Sequence, residues 1–406
     1  MQTHDFRCAY AGRSVLVTGH TGFKGSWLAT WLARLGASTH GYSLDPPTCP
    51  SHYQLCETRS LLTTETHADV RDVDALVAAI ERAEVDALFH LAAQSAVREG
   101  YRTPLETFDV NVMGMASVLE AVRLAGRPMV VVLVTTDKVY ENVEQTVGYR
   151  EDDPLGGFDP YSASKGAAEI VAASYRRSYF PPERFEQHGV RVATARAGNV
   201  IGGGDFKRDA LIVDTMQALA ANRPVAVRNP TSVRPWQHVL DCLCGYLTLG
   251  AALRSDDAGD LDGSFNFGPL PGGDLPVAEL VRRVIETWGQ GGWMDASDPT
   301  APHETCLLRL AIDKALWTLK WRPVWDIDEA IVATTQWYRA LLDCPSAVSL
   351  RALTERQIQD FETSAFSAGA FGSASSHEGE VSSDSVLPGD ATITLPLPAA
   401  KPAKSA

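Results

Sequence analysis

The chain has 406 residues, 45% hydrophobic and 21% charged, with a formal net charge of −14. That length allows a large core in two lobes. The acidic balance argues against nonspecific nucleic-acid binding, so an anionic ligand would need a local cluster of Arg and Lys. The seven cysteines (Cys8, Cys49, Cys56, Cys242, Cys244, Cys306 and Cys344) are scattered without a CxxC. Cys242-x-Cys244 reads as core, no metal site is expected, and a reducing compartment is. With no signal pattern and no apolar run long enough to span a membrane, a cytoplasmic location is expected.

Residues 1–13 read as a leader into a first strand, Ser14 to Thr18. Leu28, Trp31, Leu32 and Leu35 then recur at helical spacing, and Gly36 is placed to end that helix. Gly19, Gly22 and Gly25 lie between strand and helix. Glycines there allow a tight turn, close approach of backbone to a pyrophosphate, and close helix–strand packing. The helix N-terminus then faces the phosphates. Asp45 closes the next predicted strand, Thr39 to Leu44, where a carboxylate can accept hydrogen bonds from a ribose. It would repel a 2′-phosphate, which favours NAD over NADP.

A Pro-rich loop, 46–50, follows. Asp72 can cap a helix whose Val73, Leu76, Val77 and Ile80 share a face. Val85 to His90 predicts a buried strand running into Leu91-Ala92-Ala93-Gln94. Those small residues suit either passage beside a flat ligand or plain helix–sheet packing. A helical segment is expected from about Leu105 to Ala125, a central strand at Val130 to Thr135, a helix at Tyr161 to Tyr179 and a strand at Arg191 to Arg196. This alternation predicts an α/β fold, a Rossmann-type doubly wound parallel sheet over residues 1–196, with its ligand crevice beyond the carboxyl ends of the strands.

From 197 the rhythm loosens. Helices are expected at Leu211 to Ala221, Val239 to Leu253, Val277 to Trp288 and Ile327 to Leu342, with short strands at Val225–Val227 and Phe265–Phe267. Residues 197–350 read as a smaller substrate-binding lobe interleaved with the first. Residues 351–406 read as a largely disordered tail, rich in Ser, Ala, Gly, Glu and Pro from about 365.

Tyr161 and Lys165 are four apart, so they share a helix face. A neighbouring ammonium and the charge of an oxidised nicotinamide would lower the phenol's pKa from its usual value near 10. Tyr161 could then take a hydroxyl proton while hydride leaves the same carbon, and Lys165 could hold the cofactor ribose. Thr136 can hydrogen-bond the reacting oxygen. Asp137 and Lys138 leave the end of the central strand together.

TGxTGxxG at Thr18 to Gly25, YSASK at Tyr161 to Lys165 and the Thr136-Asp137 pair resemble the extended short-chain dehydrogenase/reductase family. Thr136-Asp137 resembles its sugar-nucleotide 4,6-dehydratases more than its 4-epimerases. The finer match is to the branch acting on CDP-glucose, through stretches 19–28, 136–142, 153–157, 159–162, 196–205 and 234–238. Lys138 is distinctive, because dTDP-glucose and GDP-mannose dehydratases usually carry Glu there.

The resemblance implies C4 oxidation, elimination of water across C5 and C6, and hydride return to C6. Its catalytic residues would be Thr136, Asp137, Lys138, Tyr161 and Lys165, with Asp137 protonating the departing 6-OH and Lys138 either C5 base or electrostatic stabiliser. Cofactor contacts would come from Gly19, Thr21, Gly22, Phe23, Gly25, Asp45, Asp69, Val70, Leu91, Ala92, Ala93, Tyr161 and Lys165. Substrate contacts would come from Asn199, Arg208 and Arg234, with Lys207 and Arg228 further candidates. The family's Gly-Gly-Gly-Asp-Trp-Ala stretch reads Gly202 to Lys207 as GGGDFK, a departure from the pattern, so the family's nucleotide contacts are not carried over to this stretch. The expected partners are a nucleotide sugar, CDP-glucose, and a second copy of the chain through the helices at 105–125 and 161–179, with neither nucleic acid nor membrane. The competing readings are another sugar-nucleotide dehydratase or epimerase, and a noncatalytic NAD-binding protein.

Overall fold

The computed structural model describes residues 6–255, 261, 263–298, 300, 305–343 and 346–367. Its main sheet is built from Ser14–Thr18 (β1), Ser38–Ser43 (β2), Thr64–His67 (β3), Ala87–His90 (β4), Met129–Val134 (β5), Val190–Ala197 (β6) and Gly263–Phe267 (β7). The seven strands lie in the order β7-β6-β5-β4-β1-β2-β3 and every neighbouring pair is parallel. Val15 stands opposite Thr39 on one side and Ala87 on the other.

Period-two alternation divides the apolar residues between two cores. Val15 and Val17 of β1, Phe89 of β4, and Val130 and Val132 of β5 feed one cluster. Leu16, Leu88, Val131 and Leu133 feed the other. The first core is covered by Phe23–Arg34 (α1) through Trp27, Leu28 and Trp31. The second is covered by Val73–Ala83 (α2), Gly114–Ala125 (α3) and Pro160–Ser178 (α4), through Leu76, Val118 and Ala168 among others. Later in the chain come Leu211–Ala220 (α5), Val239–Leu253 (α6), Val277–Trp288 (α7), Ile327–Asp343 (α8) and Ala347–Ser367 (α9). Helix α6 is buried along its whole length against the first core.

Four features differ from expectation. Strand β3 was not foreseen, because TETH is polar and none of its residues is fully buried. The segment 104–125 is not one helix: a π-turn at Asp109–Met113 separates Pro104–Phe108 from α3. Such turns displace side chains off the regular stripe and favour functional regions. The strand at 263–267, expected in the second lobe, forms the edge of the main sheet, with Phe265 opposite Ala195. Residues 351–367, expected in a disordered tail, continue a docked helix instead.

Leu350, Ile358, Phe361 and Ala365 of α9 are buried, a stripe diluted in the sequence by Thr354 and Gln357. Glu362 accepts from the Trp31 indole at 2.8 Å, and Arg351 donates to the Cys56 carbonyl at 2.8 Å. Phe361 stacks edge-on to both Trp31 and Trp325. The stretch beyond 367, and Cys344, lie outside the described residues.

Phe361 is fully buried. Phe361→Ala should therefore cost about 3–5 kcal/mol, measured by urea denaturation. An unchanged midpoint would refute the docking of α9.

Candidate active site

Helix α1 begins at Phe23, and Gly22 precedes it without a side-chain cap. Its first N–H groups are thus open to an anion. Gly19 has φ of 74°, and a Cβ there would lie 2.6 Å from the Ala92 nitrogen. A Cβ on Gly25 would lie 2.2 Å from the Gly19 carbonyl oxygen. Gly22 is less constrained, its Cβ meeting only that oxygen at 3.3 Å. The loop after β1 therefore touches Leu91-Ala92 after β4, at the point where strand order reverses. This cradle, which added side-chain atoms would fill, fits a dinucleotide pyrophosphate.

The other expected cofactor residues ring this cradle unequally. Asp45 is exposed at the mouth, its Oδ1 3.4 Å from His67 Nδ1. Thr21 is turned inward, its hydroxyl 2.8 Å from Ser43 Oγ and 3.0 Å from the Leu44 carbonyl. Phe23 packs against the first core. Asp69 is held by Arg71 at 2.9 and 2.6 Å, which keeps its carboxyl below the usual range. Val70 is buried against α3 at Gly114. Leu91, Ala92 and Ala93 are half-buried on the crossing loop.

Beyond β5 the reacting groups converge. Asp137 is fully buried. Its Oδ1 accepts from Thr136 Oγ1 and from Lys138 Nζ, both at 2.9 Å. Its Oδ2 is buried with no protein partner. A buried carboxylate oxygen left so is costly unless a ligand satisfies it. Lys138 Nζ also lies 3.5 Å from Asn199 Oδ1, past the end of β6. Thr136, Asp137, Lys138 and Asn199 therefore form one cluster.

Helix α4 brings Tyr161 and Lys165 to the same strand end. Asp159 caps it, accepting from Ser162 N at 3.0 Å. Burial pushes the Tyr161 phenol well up, and the Asp137 and Asp159 charges add to this; a hydrogen bond with Thr136 opposes them. The lowering expected from a neighbouring ammonium is absent in the protein alone. Lys165 Nζ donates to the Val134 carbonyl at 3.2 Å. Burial, then Lys24, lowers Lys165 to about 8, opposed by Glu169.

The expected substrate residues are less united. Arg234 is buried, and its guanidinium donates to the carbonyls of Val233, Thr305 and Cys306. Arg208 is exposed on the loop before α5 and is not brought to the cluster. Lys207 instead reaches back, donating to the Ser95 carbonyl at 3.1 Å. Arg228 is tied to Asp209 at 2.9 Å. Four of the chain's eight lysines, Lys24, Lys138, Lys165 and Lys207, influence one another here, a local positive field in an acidic protein.

Three supporting residues escaped the sequence reading. Asn111, placed by the π-turn, donates to the Gln94 carbonyl at 2.9 Å and to Ser164 Oγ at 2.8 Å. It joins the loop after β4 to α4. Glu169 and Arg196 form a buried ion pair at 2.9 Å behind the reacting groups. Glu169 lies four residues beyond Lys165 and was available from spacing; Asn111 gave no such signal.

Residues 15–268 match the model of the NAD dependent epimerase/dehydratase family. The chain belongs to that family. It is 42% identical to a CDP-glucose 4,6-dehydratase of Salmonella typhimurium over 87% of this chain and 97% of the relative. It is 30% identical to a dTDP-glucose 4,6-dehydratase of Streptomyces antibioticus over 67% of this chain and 74% of the relative. Among solved structures, the dTDP-glucose 4,6-dehydratase DesIV of Streptomyces venezuelae, with NAD and TYD bound, matches with a TM-score of 0.66 and 25% identity. That likeness covers 80% of this chain and 96% of DesIV. An epimerase of Methanothermobacter thermautotrophicus shares the fold at a TM-score of 0.71 and 22% identity, over 84% of this chain and 97% of that one.

The methyl added by Gly25→Ala meets backbone rather than a flexible side chain. That variant should lose NAD affinity at least tenfold while staying folded, read by cofactor titration alongside circular dichroism. Full affinity would show that the cradle is not the pyrophosphate site.

Proposed function

We propose that the chain is a CDP-glucose 4,6-dehydratase, a hydro-lyase giving CDP-4-keto-6-deoxy-D-glucose from CDP-D-glucose. The observation that carries this is the 42% identity to an enzyme of that name along nearly the whole of both chains. When bound, NAD would supply the hydride chemistry, accepting at sugar C4 and giving back at C6. Gly19, Gly22, Gly25 and Asp45 would hold its pyrophosphate and ribose, with Thr21, Phe23, Asp69, Val70 and Leu91 to Ala93 as flanking contacts.

Each remaining step falls to a side chain of the cluster. Tyr161 Oη takes the 4-OH proton, and the Thr136 hydroxyl hydrogen-bonds the same oxygen. The phenol begins too basic for this, so the positive charge of the bound oxidised cofactor must bring it down. The new ketone acidifies the C5 proton, and the 6-OH must leave with a proton. Asp137 Oδ1 is occupied by Thr136 and Lys138, so Oδ2 is the oxygen that can deliver one. Oδ2 can take the C5 proton and pass it to the departing 6-OH, while Lys138, in its ion pair with Asp137, is the cation that stabilises the enolate. Asn199 would meet the substrate diphosphate, with Lys207 closer to the crevice than Arg208, while Arg234, tied to three backbone carbonyls, would brace the segment beside it.

The same reading favours a homodimer. Leu105, Met113, Leu124, Ile170 and Tyr179 are at least half exposed on or beside α3 and α4, an apolar face of the kind that marks protein contacts. Among the described residues no helix is long and apolar enough to cross a membrane. A cytoplasmic site is the setting we propose for an enzyme whose described cysteines are all free thiols.

Incubation with CDP-, dTDP-, GDP- and UDP-sugars should give a product one water lighter from CDP-glucose above all, read by mass. A 4-epimer of unchanged mass would overturn the reading. Tyr161→Phe should lose at least about 10²-fold in kcat yet retain NAD; normal turnover would remove its proton-transfer role. Asp137→Asn should still oxidise C4 and stall there, accumulating bound NADH visible by absorbance. Absence of that NADH would count against Asp137 as the acid for water loss.

A further inference from the structure

Tyr161, Lys165 and Glu169 stand at i, i+4 and i+8 on one face of α4, and each engages the end of β5. Tyr161 bonds Thr136, Lys165 donates to the Val134 carbonyl, and Glu169 accepts from Thr135 Oγ1 at 2.5 Å. Glu169 also accepts from Thr194 Oγ1 at 2.8 Å, Arg196 Nη2 at 2.9 Å and Ser264 Oγ at 3.0 Å. One carboxylate thus ties the helix to β5, β6 and β7.

We propose that Glu169 is a positioning residue: it locks α4 onto the end of β5 and supplies the anion that keeps Lys165 an ammonium in a crevice otherwise crowded with lysines. This rests on the reading that places Lys165 at the cofactor ribose.

The groups facing Lys165 leave Glu169 as its counter-charge. Lys24 approaches from α1 and lowers it further. His90, at the end of β4, is held neutral by burial and by Lys165 itself. Burial alone would push the Glu169 carboxyl up, but Arg196 and the hydroxyls of Thr135 and Thr194 hold it below its usual range. Arg196 is fixed in turn by Tyr140 OH at 2.9 Å and the Glu151 carbonyl at 3.0 Å. Arg196 therefore keeps Glu169 charged, and Glu169 keeps Lys165 charged.

The test is a ¹³Cε NMR titration of Lys165 in lysine-labelled full-length protein, assigned with Lys165→Arg. The wild-type midpoint is expected at about 8. Glu169→Gln should move it down by about one pH unit, and so shift the alkaline limb of kcat/KM to lower pH. That variant leaves Arg196 buried without its counter-charge and is expected to lower stability.

Glu169→Gln/Arg196→Met removes both charges and should regain stability while the Lys165 midpoint stays displaced. Glu169→Asp keeps the charge, so its midpoint should stay near the wild-type value even where Tm falls. An unmoved midpoint in the double variant, or an equal displacement in Glu169→Asp, overturns the proposal. The titration needs no substrate, so failure of CDP-glucose to react would be a separate result.

Discussion

The site depends on the grip of helix α4 on the end of strand β5. The helix carries the phenol and the ammonium; the strand end carries Thr136, Asp137 and Lys138. Proton transfer tolerates little error in heavy-atom distance, so the two elements must be fixed against each other before either is useful. Side chains from successive turns of α4 do this at three consecutive residues, 134 to 136, where β5 ends and its following loop begins. Behind them the Arg196–Glu169 pair closes the joint, with the Thr194 and Ser264 hydroxyls also donating to the Glu169 carboxylate. A buried ion pair gains little net stability, but losing one partner is expensive. Here its value lies in holding geometry and charge.

A second constraint is electrostatic. The chain is acidic overall, yet its crevice gathers four lysines that influence one another. Such a site attracts two diphosphates, one from the cofactor and one from the substrate. Burial, with this mutual repulsion, lowers Lys165 and Lys207 from the usual ammonium range. Asp137 and Glu169 answer this at different depths, one beside the reacting oxygen and one beneath it. Asp137 Oδ2 is buried without a protein partner, as a group that must meet a ligand would be.

Much of the layout was readable from residue order. The β1 strand, the glycine turn and α1 follow from apolar periodicity and glycine spacing, and α6 and α7 have the bounds their patterns predict. Tyr161 and Lys165 share a face because helices repeat every 3.6 residues. Strand β3 gave no such signal, being polar and paired only on one side, to β2. Helix α9 was hidden because Thr354 and Gln357 interrupt its stripe, and burial there depends on partners such as Trp31 more than three hundred residues away. The π-turn at 109–113 was invisible because its reason, the reach of Asn111 to Gln94 and Ser164, is a contact across the fold.

The sequence by itself determined the dinucleotide fold and its family, and it singled out the candidate reacting side chains, since those depend on local spacing and residue chemistry. Only the tertiary structure decided which groups are free to react. It turned Thr21 inward, gave the Asp69 carboxylate to Arg71, spent the Arg234 guanidinium on backbone carbonyls and left Arg208 outside. In the protein alone it also raised the phenol's pKa by burial. Burial and partner choice set those outcomes, and both are properties of packing between distant segments that no local pattern encodes.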